Sequence, residues 1–219
     1  MKKSYQLVVF DWEGTLGDTP GHVINTLATQ ARCLHFGELN EKLARQYAVL
    51  GLVRAVKKLF PHLTLHQHEQ LLHAVQKALI SSSSDACLFP GAKALVEQIS
   101  RAGLHLAIAS NKGQHSLLRA LQETGLQDFF RVTRAAGQSP PKPCPQMLEE
   151  IMAIFDVCAS QTLMIGDSIT DIEMALSVDV DAIGVDFYHD QRANLTAAGA
   201  LAVFDDYSQL SQYLKLSDH

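Results

Sequence analysis

A chain of 219 residues, 47% hydrophobic and with a formal charge of −5, is long enough to bury a full core, as one large domain or as one domain with a smaller one inserted. The acidic balance and the lack of a large Lys/Arg cluster argue against a nucleic-acid partner and leave small anionic substrates open. No apolar run approaches the roughly 20 residues of a membrane span, nothing at Met1–Ser4 reads as a signal peptide, and Cys33, Cys87, Cys144 and Cys158 have no CxxC spacing, so the expectation is a soluble, cytoplasmic protein with reduced thiols and no membrane contact.

The first element, Val8 to Leu16, reads as a short buried strand running into a glycine-relaxed turn. Side chains alternate along a strand, so Asp11 and Glu13 share one side and Trp12 turns away to pack behind them. A plain strand ending in a solvated acidic loop would give the same nonapeptide, so the rest of the chain must decide. Thr19-Pro20-Gly21 has the form of a helix start, with Val23, Leu27, Ala31 and Leu34 at helical spacing behind it. Asn40 is placed to cap a second helix carrying Leu43, Tyr47 and Leu50; Gly51 interrupts it and Leu52 to Phe60 resumes. Thr64 with Gln67 forms a capping-box pattern before a longer helix with the stripe Leu65, Leu72, Val75 and Leu79. His62, His66, His68 and His73 gather there, but with only Glu69 beside them and no cysteine they read as a solvated helix face.

Ser81–Ser84 is a small-residue linker, and beyond it the pattern changes. A helix with Leu95 and Ile99 ends at Gly103, Leu104 to Ala109 is a buried strand, and Ser110-Asn111-Lys112-Gly113 is the polar turn at its end. A helix to Gly125, a proline-rich loop containing Lys142, and a helix from Met147 to Phe155 follow. Thr162 to Ile165 is a strand closed by the Gly166-Asp167-Ser168 turn, Ile172 to Leu176 a helix, and Ala182 to Val185 and Leu201 to Phe204 the last strands. Strands alternating with helices predict an α/β fold, a doubly wound parallel sheet made of residues 1–17 and 87–219, with residues 18–86 as an inserted helical domain.

In such a sheet, ligands bind beyond the carboxyl ends of the strands, which is where Asp11/Glu13, Ser110/Asn111 and Asp167/Asp171 all fall, joined by Lys142. In this arrangement the chain resembles the haloacid dehalogenase superfamily, in its phosphoglycolate phosphatase-like branch with a helical cap after the first motif. Asp11-Trp12-Glu13-Gly14-Thr15-Leu16 is similar to that family's first motif, Ser110-Asn111 to its second, Lys142-Pro143 to its third, and Gly166-Asp167-Ser168-Ile169-Thr170-Asp171 to its fourth. The resemblance spans nearly the whole chain and implies a Rossmann-like core. Several carboxylates in one pocket also call for a hard cation, and Mg2+ fits best, held by Asp11, Asp167 and the Glu13 backbone carbonyl, with Asp171 orienting Asp167 or a bound water.

The implied reaction is hydrolysis of a small phosphorylated metabolite through an aspartyl-phosphate on Asp11. Ser110, Asn111 and Lys142 would meet the phosphoryl oxygens, and Glu13 would act as acid and base. Arg45, Arg54, Lys57 and Lys58 in the insertion are candidates to meet the rest of the substrate, and equally a solvated face. One departure stands out: family phosphatases usually carry aspartate where this chain has Glu13. That leaves a catalytically weak binder of a phosphorylated metabolite or protein as one alternative and a phosphomutase as another. A metal-free dehalogenase would leave Asp167 and Asp171 unexplained.

Overall fold

The computed structural model describes residues 5–48, 51–81 and 87–215. It divides the chain into two compact units, Met1–Gly17 with Leu88–His219, and Asp18–Cys87. Cys87 falls with the helices, because its carbonyl accepts the Asp18 N–H at 2.8 Å. The Ser81–Ser84 linker lies, after Ser81, outside the described residues, as does Leu50.

The first strand, β1 (Leu7–Phe10), precedes the helical unit. That unit opens with α1 (Thr19–Cys33), capped by Asp18, whose carboxylate accepts the Gly21 N–H at 2.8 Å. The cap is therefore one residue earlier than the Thr19 pattern suggests, and a carboxylate is favoured there by the partial positive charge of the helix start. In α2 (Glu41–Ala48) the Asn40 side chain accepts the Leu43 N–H at 3.1 Å. Next come α3 (Leu52–Leu59) and α4 (Leu65–Ser81), the latter begun by a reciprocal box in which Thr64 N donates to Gln67 Oε1 at 2.9 Å and Gln67 N to Thr64 Oγ1 at 3.3 Å.

The helices enclose Leu27, Ala31, Val56, Phe60, Leu63, Leu71 and Val75. Leu65, expected on the apolar stripe, is 74% exposed and Leu71 takes its place. Ten residues before Val75, Leu65 sits about 80° round a helix of 3.6 residues per turn, off the buried face. His68 also departs from the solvated reading, being buried with Nε2 bonded to the Phe60 carbonyl at 2.9 Å.

The second unit continues with α5 (Ala92–Arg101), β2 (His105–Gly113), α6 (Gln114–Thr124), β3 (Val132–Ala136), α7 (Gln146–Phe155), β4 (Thr162–Gly166), α8 (Ile169–Leu176), β5 (Asp181–Val185), α9 (Arg192–Ala197), β6 (Val203–Phe204) and α10 (Tyr207–Leu214). The strands form one parallel sheet in the order β3-β2-β1-β4-β5-β6. Every residue of β1 and β4 is buried, as a parallel sheet covered on both faces requires. From β1 the chain winds outward through β2 and β3, then returns to β4 on the other side. This places the switch point, where such sheets bind ligands, at the carboxyl ends of β1, β2 and β4.

Several elements differ from the sequence reading, among them β6, which spans Val203–Phe204 and leaves out the exposed Leu201. β3 is an edge strand whose residues Val-Thr-Arg-Ala-Ala bury only Ala135, so its apolar signal is weak. β2 runs past Ala109 to Gly113, with a register shift between Ser110 and Gly113. α8 begins three residues before Ile172, with Ser168 as its cap. No helix among the described residues is long and apolar enough to cross a membrane.

Candidate active site

The registers Phe10↔Ile108 and Phe10↔Ile165 set the end of β1 level with Ile108 of β2 and Ile165 of β4, and the Asp11 N–H donates to the Ile165 carbonyl at 2.9 Å. Asp11, Ser110 and the Gly166–Asp167 turn thus emerge side by side. Asp11, Asp167 and Asp171 each bring one carboxylate oxygen within 4.8 Å of the others, the only such group of potential metal ligands among the described residues. The Glu13 carboxylate is not part of it: it is bound by the Lys112 ammonium. Three of the four expected acids therefore converge within ligand distance, and the fourth is paired with Lys112.

Lys142 reaches into this cluster from the proline loop. Its Nζ lies 2.6 Å from Asp171 Oδ1 and 2.8 Å from Asp11 Oδ1, and all three residues are buried. The contact with Asp11 lacks hydrogen-bond geometry, so Asp11 Oδ1 is a buried oxygen without a directed donor. The loop is fixed by the Lys142 N–H donating to Asn111 Oδ1 at 2.9 Å. Asn111 thereby holds Lys142 in place with its side-chain oxygen, while Ser110, 1% exposed, accepts the Lys112 N–H at 3.3 Å.

Asp171 is fully buried at the start of α8. Its Oδ2 accepts from Ser168 N at 3.1 Å and Ser168 Oγ at 2.7 Å, and its Oδ1 from Lys142. One carboxylate thus closes a capping box, as the helix-start reading of Asp171 has it, and also holds the lysine. Asp167 has only a long contact, Thr15 Oγ1 at 3.4 Å.

Close approach dictates two glycines. A Cβ on Gly14, whose φ is +76°, would stand 2.0 Å from Asp167 Oδ2, and one on Gly166 would stand 2.3 Å from Asp171 Cγ. Neither close approach was read from the sequence, and neither was Tyr207, whose buried hydroxyl donates to the Thr15 carbonyl and pins the turn after Asp11. Trp12, 1% exposed, packs as expected. Of the basic residues in the helical unit, Arg54 and Lys57 are exposed, and Lys58 Nζ stands 5.3 Å over the Tyr47 ring.

The electrostatics follow from crowding. Burial, then the charges of Asp11 and Asp171, push Asp167 up to about 8 against relief from Lys142. Burial and Asp171 push Asp11 up to about 6, again offset by Lys142. Burial acts to lower Lys142, but Asp11 and Asp171 outweigh it and the ammonium is held above its ordinary value. Burial and the nearby Asp167 and Asp11 raise the Tyr207 phenol. Ionised together, three carboxylates facing one ammonium leave two negative charges in a buried pocket, a donor set made for a hard divalent cation.

A family model described as haloacid dehalogenase-like hydrolase matches residues 8–185. The chain is 31% identical over 173 residues to a phosphoglycolate phosphatase of Rhodospirillum rubrum, covering 78% of this chain and 70% of that one. It is 24% identical over 223 residues to a phosphoglycolate phosphatase of Psychrobacter arcticus, covering 95% of each. Its fold is similar to the crystal structure of a HAD family hydrolase from Deinococcus radiodurans with bound phosphate and sodium, with a TM-score of 0.73 at 18% identity over 97% of this chain and 96% of that one.

Proposed function

Because the chain belongs to the haloacid dehalogenase-like hydrolases, we propose that it is a magnesium-dependent phosphatase of a small, phosphoglycolate-like phosphate monoester, working through an aspartyl-phosphate on Asp11. The observation that carries this reading is the buried Asp11–Asp167–Asp171 cluster facing Lys142 at the switch point of the sheet. Asp11 is the group at the end of the central strand, and its carboxylate attacks phosphorus. Lys142, positioned by Asp171 and Asn111, and the buried Ser110 hydroxyl face the phosphoryl oxygens, where negative charge must be offset.

Asp11, Asp167 and the Glu13 carbonyl would hold Mg2+, with Asp171 engaged by Ser168 and Lys142 as an orienting residue. The ion would supply charge neutralisation for the phosphate and for the carboxylates that crowding otherwise protonates. Glu13 protonates the leaving oxygen and later takes a proton from water. The 18–87 unit, inserted between β1 and the rest of the sheet in sequence, serves as the cap that selects the substrate. Four unpaired cysteines fit a reducing, cytoplasmic setting.

The test is turnover of a panel of phosphorylated metabolites, phosphoglycolate among them, with Mg2+ and with EDTA. Release of phosphate only with Mg2+ is expected. Thermal stabilisation by the same esters without any release would instead favour a binding protein, a reading that the engagement of Glu13 by Lys112 keeps open.

A further inference from the structure

We infer that Lys112 is a positioning residue that aims the Glu13 carboxylate, and that it is what lets glutamate serve where an aspartate would be expected; the inference rests on the phosphatase reading above. The Lys112 ammonium donates to Glu13 Oε1, 99 residues away in sequence. The contact follows from the sheet. With Phe10 level with Ile108, Glu13 lies in the turn just past the end of β1, while Lys112 lies beside that turn near the end of β2, which runs on to Gly113. Lys112 is tied at both ends, since its backbone N–H also donates to Ser110 Oγ at 3.3 Å.

The two lysines divide the work. Lys142 is buried against Asp11 and Asp171, whereas Lys112 meets only Glu13 in an ion pair whose side chains are 22% and 36% exposed. A half-exposed pair of this kind adds little to folding stability. Its consequence is orientation. Glutamate has one more rotatable bond than aspartate, so an untethered carboxylate would sweep a larger volume, and misplacement of about an ångström can cost on the order of 100-fold in rate.

The step most exposed to that loss is the second. A Glu13 oxygen takes a proton from water as the water oxygen bonds to phosphorus; the phosphorus–oxygen bond to Asp11 breaks, and its electron pair returns to the Asp11 carboxylate. The first step, with a leaving group such as nitrophenolate that departs without a proton, depends far less on where Glu13 points.

The experiment uses the full chain with Mg2+ and p-nitrophenyl phosphate, measuring formation of acid-stable labelled phosphoenzyme and its decay after a chase. In Lys112→Met, decay is expected to slow about 10- to 100-fold while formation and kcat/KM change less than about threefold, with Lys112→Arg recovering part of the loss. In a Glu13→Gln background, adding Lys112→Met should change decay by less than about twofold, because there is no carboxylate left to aim. Unchanged decay in Lys112→Met, an equal fall in both steps, or full additivity with Glu13→Gln would overturn the inference while leaving the phosphatase reading intact. Lys112→Gln gives the same comparison if the Met variant is poorly folded. A wild-type chain that releases no nitrophenolate would overturn both.

Discussion

Asp167→Asn should make the metal-free protein more stable at alkaline pH, although it removes a residue of the site. In the folded chain the Asp167 carboxyl is pushed from 3.8 up to about 8. Between those values the folded state holds a proton that the unfolded chain has released, so stability falls as pH rises through this window, the reverse of ordinary acid denaturation. About four units at about 1.4 kcal/mol each gives on the order of 5 kcal/mol, a large share of the roughly 5–15 kcal/mol of a typical domain.

Asp11, raised to about 6, acts in the same sense. Asparagine has the same shape and never ionises, so it escapes the cost. Urea unfolding in EDTA at pH 5, 6.5 and 8.5 should show the wild type losing several kcal/mol across the range, a flatter profile for the variant, and a crossing that leaves the variant ahead at pH 8.5. Saturating Mg2+ should reverse that order, because the cation binds the ionised set and is lost on unfolding. Parallel pH profiles for the two proteins in EDTA would refute the reasoning.

Gly14→Ala places a methyl group 2.0 Å from Asp167 Oδ2 at a φ of +76°, so it should displace that carboxylate and weaken Mg2+ binding at least tenfold, measured by calorimetry; unchanged affinity would mean that Asp167 is not a ligand. Lys142→Met removes the ammonium from two buried carboxylates and should cost about 3–5 kcal/mol in metal-free unfolding at pH 8, with turnover lost. Replacing residues 18–87 with a short linker should leave a folded sheet that keeps more activity on p-nitrophenyl phosphate than on phosphoglycolate, and equal loss on both would count against a selecting role for that unit.

Asp11, Ser110, Asp167 and Lys142 were legible in the sequence because each of the first three follows a buried apolar run that ends at a turn, and the fourth is set between prolines. Residue type and strand exits suffice for that. What was hidden depends on neighbours in space. The Lys112–Glu13 pair exists only through the β1–β2 register, so Lys112 reads in sequence as one more polar turn residue. The double duty of Asp171 needs Ser168 and Lys142 at once. β3 was missed because an edge strand can be half polar, and His68 because one carbonyl, that of Phe60, is enough to satisfy an imidazole nitrogen inside the core. Leu65 misled through spacing that is helical yet drifts off the buried face.

The central claim is that Asp11 carries the phosphoryl group. Quenching the enzyme during turnover with Mg2+ and reducing it with borohydride converts an aspartyl-phosphate to homoserine, which mass spectrometry locates in the peptide containing Val8 to Leu16. The account predicts homoserine at residue 11, absent with EDTA and absent in Asp11→Asn. Sustained turnover with residue 11 unmodified, or homoserine at Asp167 instead, would contradict it.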